Sequence, residues 1–357
     1  MVSIKEIAQL TRVSTATVSN VLNGKKGAAG EAKAREIRET ARSLHYTPNA
    51  LAKSLKQQKT NNIGIITEDL TVFNTPEIVD GIDAYCESEG YEIILGNMRL
   101  FKRYNNDFTD TVKHQQILDA AVRNMLAKQV EGIVYVGYHC REIPYLPSRV
   151  NVPFVYAYCY PREDIYPSVL YDDEGAAYGV TELLIKKGHT RIGAVCGPEG
   201  SFHTQARLRG FKQALLNHGI PVNPAIILYG DWERGSGYRL SEALFDAGVT
   251  AIFSFNDLMA SGVYERAAGR GLVIGGDISL VGFDNRDISL GYTPQLATVE
   301  PPLNEIGRKC AELILNQLKR RRIRKKRIYL PCIIHERKSV SENRAGITNR
   351  SSGRKRR

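Results

Sequence analysis

A cluster of small, mostly polar residues stands near the amino end of the 357-residue chain. The cluster consists of Ser14, Thr15, Ala16, Thr17, Ser19 and Asn20. An Asn side chain can pair with an adenine edge, hydroxyls can hold phosphates, and an alanine methyl can contact the methyl group of thymine. On one exposed helix face, these residue types are suited to the floor of a DNA major groove.

Two short helices joined by a turn at 11–13 would position this face. Apolar residues recur there at the three- and four-residue spacing of a buried helix stripe. They are Ile4, Ile7 and Ala8 before the turn, and Val18, Val21 and Leu22 after it. Ser14 is a suitable N-cap for the second helix. The same pattern also fits an ordinary helical hairpin with a solvated outer face.

A third helix and a short linker segment follow. The inward stripe of the third helix is Ala34, Ile37, Ala41 and Leu44. Positions 49–55 (NALAKSL) then predict a helix capped by Asn49, which is too short to be stable in water without a partner. If two copies pair in a minor groove, Leu55 becomes an apolar wedge between base steps, and Lys53 and Lys56 lie near phosphates. A flexible linker is the alternative.

Charge is distributed unevenly along the chain, whose net charge is +11. Residues 1–60 carry eleven Lys or Arg against four acids, and 319–357 carry sixteen against two, whereas 61–318 have a net charge of −10. A basic head on an acidic body is typical of a protein with one nucleic-acid-binding end. The basic runs at 319–327 (KRRRIRKKR) and 351–357 are interpreted as a solvated helix end and a disordered tail. Added non-specific attraction to DNA is the alternative.

The six cysteines show no ligand spacing and no CxxC pair, so neither a metal site nor a disulfide framework is expected. Free thiols indicate a reducing compartment. No apolar run reaches the length of a membrane helix, and the amino end does not resemble a signal peptide. We therefore expect a soluble, cytoplasmic protein without a cofactor.

From residue 63 onward, short apolar strands alternate with amphipathic helices. The predicted strands are 63–67, 92–95, 132–136, 153–156, 191–195, 225–228, 251–255, 279–283 and 327–334. The predicted helices are 76–89, 111–128, 174–187, 204–218, 235–247, 257–270 and 303–319. This alternation predicts parallel sheets in two doubly wound subdomains, with a ligand at the carboxyl ends of the strands in the cleft between them.

Over residues 2 to about 339, the sequence resembles the lactose/galactose repressor (LacI/GalR) family of bacterial transcription regulators. The matching phrases include IKEIAQLTRVSTATVSNVLNG, LHYTPNALAKSL, ARLRGFKQAL, TAIFSFNDLMASGVYE and GGDISLVGFDN. The resemblance implies an all-α helix-turn-helix head at 1–48 and a hinge helix and linker at 49–60. It also implies an α/β effector-binding and dimerisation domain at 61–339, of the type I periplasmic-binding-protein kind, before a basic, disordered tail at 340–357.

The resemblance also implies roles for individual residues. Thr15, Ala16 and Asn20 fall where the family reads base edges, while Ser14, Thr17 and Ser19 fall where it holds phosphates. Leu55 matches the hinge wedge. The matching effector-pocket positions are Phe73, Asp172, Arg207, Trp232, Asn256, Asp257 and Asp284. Such a set suits a polyhydroxylated ligand, because Arg and Asp chelate vicinal hydroxyls and an indole face stacks on a sugar ring.

Structural roles for the same residues stay open. Asp172 and Asp257 could be helix N-caps, and Trp232 could belong to the core.

The chain departs from the family pattern at several places. Ala29-Gly30 replace an apolar residue and a Ser cap before the third helix, so a softer helix start is expected. The segment 98–111 is longer than usual and either forms a surface loop or folds over the cleft mouth. At 158–160, Tyr-Cys-Tyr stands where the family often carries an acidic residue.

These features predict a repressor whose affinity for a palindromic double-stranded operator is set by a small molecule, which we expect to be a sugar or sugar derivative. The expected assembly is a homodimer associated with the bacterial nucleoid, without contact with a membrane. An intracellular solute-binding protein with the same body fold is one alternative, and a regulator answering to a nucleoside or purine corepressor is another. An enzyme is not expected, since no GxxxxGK[ST], HExxH or GxSxG motif is present.

Overall fold

The computed structural model describes residues 2–46, 59–104, 110–148, 150–163, 165–321 and 326–343. Its contacts divide the chain into two compact units, Met1–Thr60 and Asn61–Arg357. We refer to them as the head and the body and describe each by itself.

Three helices form the described part of the head: α1 (Ile4–Leu10), α2 (Thr15–Leu22) and α3 (Glu31–Ser43). Ser3 and Glu6 make a capping box at the start of α1, and the Ser14 side chain accepts a hydrogen bond from the Thr17 amide at the start of α2. The buried core consists of Ile7, Ala8, Val18, Val21, Ala34, Ile37 and Ala41. The predicted inward stripes of all three helices are therefore confirmed.

The start of α3 has no side-chain cap. Gly30 occupies the N-cap position, and no side-chain hydrogen bond satisfies the first-turn amides. The missing cap follows directly from the Ala29-Gly30 sequence.

The body alternates strands and helices as predicted. Its strands are β1 (Asn62–Thr67), β2 (Glu92–Asn97), β3 (Gly132–Val136), β4 (Glu142–Ile143), β5 (Phe154–Ala157), β6 (Tyr160–Pro161), β7 (Ser168–Tyr171), β8 (Ile192–Cys196), β9 (Ile227–Tyr229), β10 (Ala251–Ser254), β11 (Ser279–Val281), β12 (Thr298–Glu300), β13 (Arg327–Leu330) and β14 (Ile333–His335). Its helices are α4 (Thr75–Ser88), α5 (Leu100–Tyr104), α6 (Thr111–Ala127), α7 (Asp173–Lys186), α8 (Phe202–Asn217), α9 (Arg234–Asp246), α10 (Asp257–Gly269) and α11 (Leu303–Leu318).

These elements build two parallel sheets. The first sheet has the order β13-β7-β5-β3-β1-β2, and the second has the order β11-β10-β8-β9. Every neighbouring pair in both sheets is parallel. The two doubly wound subdomains predicted from the sequence are therefore present, and the carboxyl ends of the strands in each sheet share one edge.

Within the described residues, the chain passes between the two subdomains three times. It leaves the first sheet after β7, returns after β12 to form α11, and leaves again after β13. Helix α11 packs against α4 and the first sheet, while β12 and β14 pair antiparallel beside the second sheet. The first subdomain is therefore completed by residues from late in the chain.

Two glycines allow α4 and α11 to approach closely. A Cβ at Gly81 would overlap the carbonyl oxygen of Asn304, and a Cβ at Gly307 would overlap the carbonyl oxygen of Ile78. Each helix thus presents a glycine to the backbone of the other.

The strand predictions need correction: besides the two cases described next, the short strands β4, β6 and β12 were not predicted. The predicted strand 327–334 is two strands, because the Pro331-Cys332 segment interrupts it and sends β13 and β14 to different sheets. Strand β7, with the sequence SVLY, was not predicted. It is short and fully buried, and it adds to the first sheet between β5 and β13.

Candidate functional site

The outward face of α2 is accessible to solvent. Ser14, Thr15 and Ala16 are exposed, and Thr17, Ser19 and Asn20 are partly buried. The Ser14 hydroxyl lies 2.9 Å from the Thr17 hydroxyl and 3.0 Å from the Thr17 amide nitrogen. None of these side chains belongs to the head's buried core. Asn49, Lys53, Leu55 and Lys56 lie outside the described residues.

In the body, side chains that follow strands of the first sheet meet the amino-terminal part of α8 in the second subdomain. The ring centroid of His139, beyond β3, lies 4.8 Å from that of His203 on α8. The Tyr158 hydroxyl, beyond β5, lies 3.0 Å from His203 Nε2. The carboxyl edges of the two sheets therefore face each other across an aromatic interface.

Arg207 on α8 is the charged centre of this interface and is only 2% exposed. Its Nε donates to Asp173 Oδ1 at 2.7 Å, Nη2 donates to the Tyr171 hydroxyl at 3.0 Å, and Nη1 donates to the carbonyl oxygen of Phe255. The guanidinium carbon lies 3.5 Å from the centroid of the Phe283 ring. Arg207 therefore ties together the ends of strands from both sheets.

Asp173 is shared between Arg207 and His203. His203 Nδ1 lies 2.8 Å from Asp173 Oδ2. Burial alone would raise the pKa of Asp173, but His203 and Arg207 outweigh it and hold the pKa below its usual value. Burial lowers the pKa of His203, and the neighbouring carboxylate of Asp173 only partly opposes this.

Asp284, just beyond β11, is a carboxyl group without a donor: among the described residues, none donates a hydrogen bond to it. Burial raises its pKa to about 8, and the attraction of nearby Arg207 only partly opposes this. Its backbone φ is 106°, a conformation that non-glycine residues rarely adopt. Such strained, unpartnered polar residues are typical of ligand sites.

Asp257, Asn256 and Asp172 have structural partners. Asp257 accepts hydrogen bonds from the Thr298 hydroxyl at 2.6 Å and the Arg286 amide at 2.8 Å, and burial raises its pKa to about 7. Asn256 caps α10, and Asp172 caps α7 through the Gly175 amide. Asp257 thereby holds the loop that carries Asp284 in place.

Trp232 and Phe73 lie at the border of the interface. Trp232 is partly buried, its ring covers Gly197, and its carbonyl oxygen accepts a hydrogen bond from Asn256 Nδ2 at 2.8 Å. Phe73, beyond β1, is 41% exposed, and the guanidinium carbon of Arg286 lies 4.8 Å from its ring centroid. Since Arg286 follows β11, this cation–π contact joins the two subdomains.

A second buried ion pair stands at the carboxyl end of β1. Arg141 binds both carboxylate oxygens of the fully buried Glu68, at 2.6 and 2.7 Å. The hydroxyl of Tyr135 also donates to Glu68. This pair fixes the strand ends that carry Tyr138 and His139.

The described part of the segment 98–111 folds back toward this pair. The Leu100 amide donates to the carbonyl oxygen of Glu68, and the Phe101 ring centroid lies 5.6 Å from that of Tyr138. Phe108 lies outside the described residues.

Besides the hydroxyl of Tyr156 within β5, three further buried oxygens have no hydrogen-bond partner among the described residues. They are Asn74 Oδ1, Thr75 Oγ1 and Thr204 Oγ1. Asn74 and Thr75 stand at the start of α4, and Thr204 stands near the start of α8, so all three follow the carboxyl end of a strand. Buried polar atoms of this kind need a partner that the protein itself does not supply.

Sequence reasoning missed much of this network. It singled out Asp172, whereas the neighbouring Asp173 carries the buried ion pair. It also missed His203, Tyr171 and the pair of Glu68 with Arg141. The phrase ARLRGF pointed to Arg207, and the position of His203 one helical turn earlier was the available signal for a partner on the same face.

No helix in the described ranges combines the length and the apolar character needed to cross a bilayer.

Comparison with known proteins covers both units. Residues 3–49 match the family described as bacterial regulatory proteins, lacI family, and residues 181–340 match the periplasmic binding protein-like domain. Catabolite control protein A of Priestia megaterium is 33% identical over 347 residues, covering 95% of this chain and 99% of that protein. The HTH-type transcriptional repressor PurR of Vibrio vulnificus (strain CMCP6) is 30% identical over 326 residues, covering 89% and 92%.

Among solved structures, the lac repressor dimer bound to operator and the anti-inducer ONPF aligns with a TM-score of 0.76. The two chains are 24% identical, and the alignment covers 95% of this chain and 99% of the other.

Proposed function

Because this chain belongs to the LacI family of bacterial regulatory proteins, we propose that it represses transcription under the control of a sugar or sugar derivative bound in the body. Repressors of this family bind operator DNA and small-molecule effectors, act as dimers, and are not enzymes. They act in the cytoplasm, and we propose that this chain is associated with the bacterial nucleoid.

The proposed operator-reading surface is the outer face of α2. Thr15, Ala16 and Asn20 contact base edges, and Ser14, Thr17 and Ser19 hold phosphates. The exposure of this face supports the assignment. In a homodimer, two copies read the halves of a palindrome. Residues 1–48 are the proposed DNA-binding domain, and 49–60 form the hinge, with Leu55 as the wedge and Asn49, Lys53 and Lys56 near the backbone.

A gel shift on the upstream region of the protein's own gene tests this surface. We expect selective binding that weakens as salt is raised. Asn20→Ala should weaken binding to the operator by roughly 1–3 kcal/mol and relax the preference for one base pair. The control is Arg38→Ala on α3, which should leave base preference unchanged. Equal affinity of the wild-type protein for operator and scrambled duplexes would rule the surface out.

The proposed effector site, within the body of 61–339, is the interface between the carboxyl edges of the two sheets. The observation that carries it is the unpartnered carboxyl of Asp284 beside Arg207, together with the three unpaired oxygens at the helix starts. A ligand rich in hydroxyl groups can both donate to Asp284 and accept from Arg207. Trp232 and Phe73 supply the apolar faces that a sugar ring stacks on.

The other predicted pocket residues take supporting roles in this proposal. Asp257 positions the Asp284 loop, Asn256 positions Trp232, and Asp172 caps the helix that carries Asp173. Effector binding stabilises one arrangement of the two subdomains, and the hinge segments at 49–60 transmit it to DNA.

A nucleoside or purine corepressor is the second candidate. The rings of Tyr158, Tyr171 and His203 cluster with centroids 5.5–5.7 Å apart at the same interface. Such a cluster offers stacking surfaces for a planar base.

A thermal-shift screen of sugars, sugar phosphates, nucleosides and purine bases distinguishes the two candidate effector classes. A hydroxyl-rich effector should raise the Tm of the wild-type protein but not that of Asp284→Asn, and Asp246→Asn on the exposed end of α9 should behave as wild type. A shift produced only by bases, and retained in Asp284→Asn, would favour the second candidate. The absence of a shift with all four ligand classes would refute the cleft as a small-molecule site.

A further inference from the structure

A basic groove lies at the amino edge of the first sheet, the edge opposite the effector site. It has a volume of about 580 Å3 and is formed where the chain enters β5, β7 and β13 and where α11 ends. Its floor is apolar and aromatic and includes Phe154 and Tyr166, whose ring centroids are 5.1 Å apart. None of its lining residues is acidic.

Three exposed cations line this groove: Arg320, Arg321 and Lys326. Their only described side-chain partners are neutral. Arg321 donates to the Asn316 side-chain oxygen at 3.2 Å, and Lys326 donates to the Ile165 carbonyl oxygen at 3.4 Å. The neighbouring Lys319 differs, because it pairs with Glu89 at 2.9 Å. The groove therefore keeps a local positive charge that no described carboxylate neutralises.

Because the strands of the first sheet are parallel, this charge lies at the same edge of the sheet as the start of β1, the first strand after the linker. Strand β1 begins at Asn62, directly after the linker, and it runs parallel to β3, β5, β7 and β13. Neighbouring strands are about 4.8 Å apart, so β5 to β13 lie roughly 10–20 Å along the edge from β1. A duplex held by the head is thus tethered to this edge by the linker, which raises its effective concentration there.

We propose that this groove is a second DNA-contacting surface, which binds backbone phosphates of the duplex that flanks the operator. The inference rests on the proposed function, because it needs DNA already held by the head. Three uncompensated cations beside an apolar floor fit a sugar–phosphate strand, which presents charged oxygens and apolar sugar faces. Residues 61–318 of the body are by contrast net acidic.

Fluorescence anisotropy with two labelled duplexes tests the proposal on the full-length protein. The short duplex ends at the operator, and the long one adds roughly two helical turns of random sequence on each side. The test variant is R320S/R321S/K326S. The control R103S/R239S/K338S removes the same charge from exposed positions elsewhere in the body.

Wild type should bind the long duplex more tightly than the short one and with a steeper salt dependence. In the test variant, the salt slope on the long duplex should fall by about 0.9 for each phosphate that the groove no longer neutralises. Its affinity for the short duplex should stay unchanged, and the control should retain the long-duplex advantage. Circular dichroism melting verifies that both variants are folded.

Three results would overturn the proposal: an unchanged slope in the test variant, an equal loss of affinity in the control, or an equal loss of affinity on both duplexes. A fourth contrary result involves inorganic tripolyphosphate. If it stabilises wild type and the control but not the test variant, and the test variant still prefers the long duplex, the groove is a small-anion site. Failure of wild type to bind the short duplex would instead refute the proposed operator reading.

Discussion

At the scale of single residues, two acids close to Arg207 differ in their hydrogen bonding. Asp173 is paired with Arg207 and His203 and stays ionised, whereas Asp284 is only partly buried near the same arginine, and no described residue donates a hydrogen bond to its carboxylate. The difference arises from geometry, since Arg207 directs its donors to Asp173, Tyr171 and Phe255. Asp284 is therefore left to accept from a bound molecule or to hold its own proton.

The raised pKa of Asp284 predicts a pH dependence of stability. The folded protein keeps a proton on this carboxyl up to about pH 8, whereas the unfolded chain releases it near its ordinary value of 3.8. Stability from this group is therefore fully present below pH 3.8 and is lost as the pH rises toward 8. We expect the Tm of wild type to fall more between pH 5 and pH 8 than the Tm of Asp284→Asn.

Thermal unfolding at several pH values measures this difference. Asp257, whose pKa is raised to about 7, should leave both proteins with a smaller decline in the same direction. The exposed Asp246→Asn should follow wild type. Parallel curves for wild type and Asp284→Asn would show that Asp284 is ionised in the folded protein.

At the scale of elements, helix pairs in the body are set by close backbone approach as well as by side-chain packing. Gly81 and Gly307 let α4 and α11 cross with each backbone against the other. Since α11 also covers the first sheet, this crossing fixes the layer behind the strands that carry the proposed effector site.

Gly307→Ala should therefore be strongly destabilising. Its added methyl group would overlap the Ile78 carbonyl, and overpacking of this kind costs about 1–3 kcal/mol or more. Urea unfolding followed by circular dichroism measures the loss of stability. The matched control is Gly269→Ala at the end of α10, where a Cβ meets nothing within 4 Å. That variant should be neutral or slightly more stable, because alanine is the better helix former. Equal stability of the two variants would contradict the close crossing.

Elements were the most predictable level from the sequence. Helices such as α6 and α10 begin and end within one or two residues of prediction, because a polar cap and an apolar stripe are both local signals. Strand β7 was missed because SVLY is too short for periodicity to identify. The interface itself was only partly predictable. Tyr158, Tyr171 and His203 come from separate elements, and only the packing of the two sheets brings them together.

At the scale of the whole molecule, the body is two subdomains joined by three chain passages and by contacts across their interface. One of these contacts, between Phe73 and Arg286, lies at the border of the interface and is partly exposed to solvent. Trp232, the single tryptophan of the chain, stands at the same interface and reports on its solvation.

Phe73→Ala should weaken the contact between the two subdomains without unfolding either. An exposed cation–π contact contributes about 0.5–1 kcal/mol, and Phe73 is also a proposed stacking face, so the affinity for the effector found in the thermal-shift screen should fall by at least roughly two- to five-fold. Tryptophan emission should shift to the red as water reaches Trp232. Leu216→Ala, at an exposed position on α8, should change neither quantity. An unaltered emission maximum and affinity in Phe73→Ala would show that this contact does not hold the interface closed.

The late return of the chain to the first sheet has a consequence for synthesis on the ribosome. When the ribosome has just synthesised β7, the first sheet of the nascent chain has an open edge, because β13 is still to be translated. It also has an uncovered apolar face, since α11 is likewise unmade. All of the head's described core residues have been synthesised by then. The DNA-binding head can therefore fold before the body that regulates it is complete. A message broken shortly after codon 300 would therefore yield an intact reader fused to an aggregation-prone remnant.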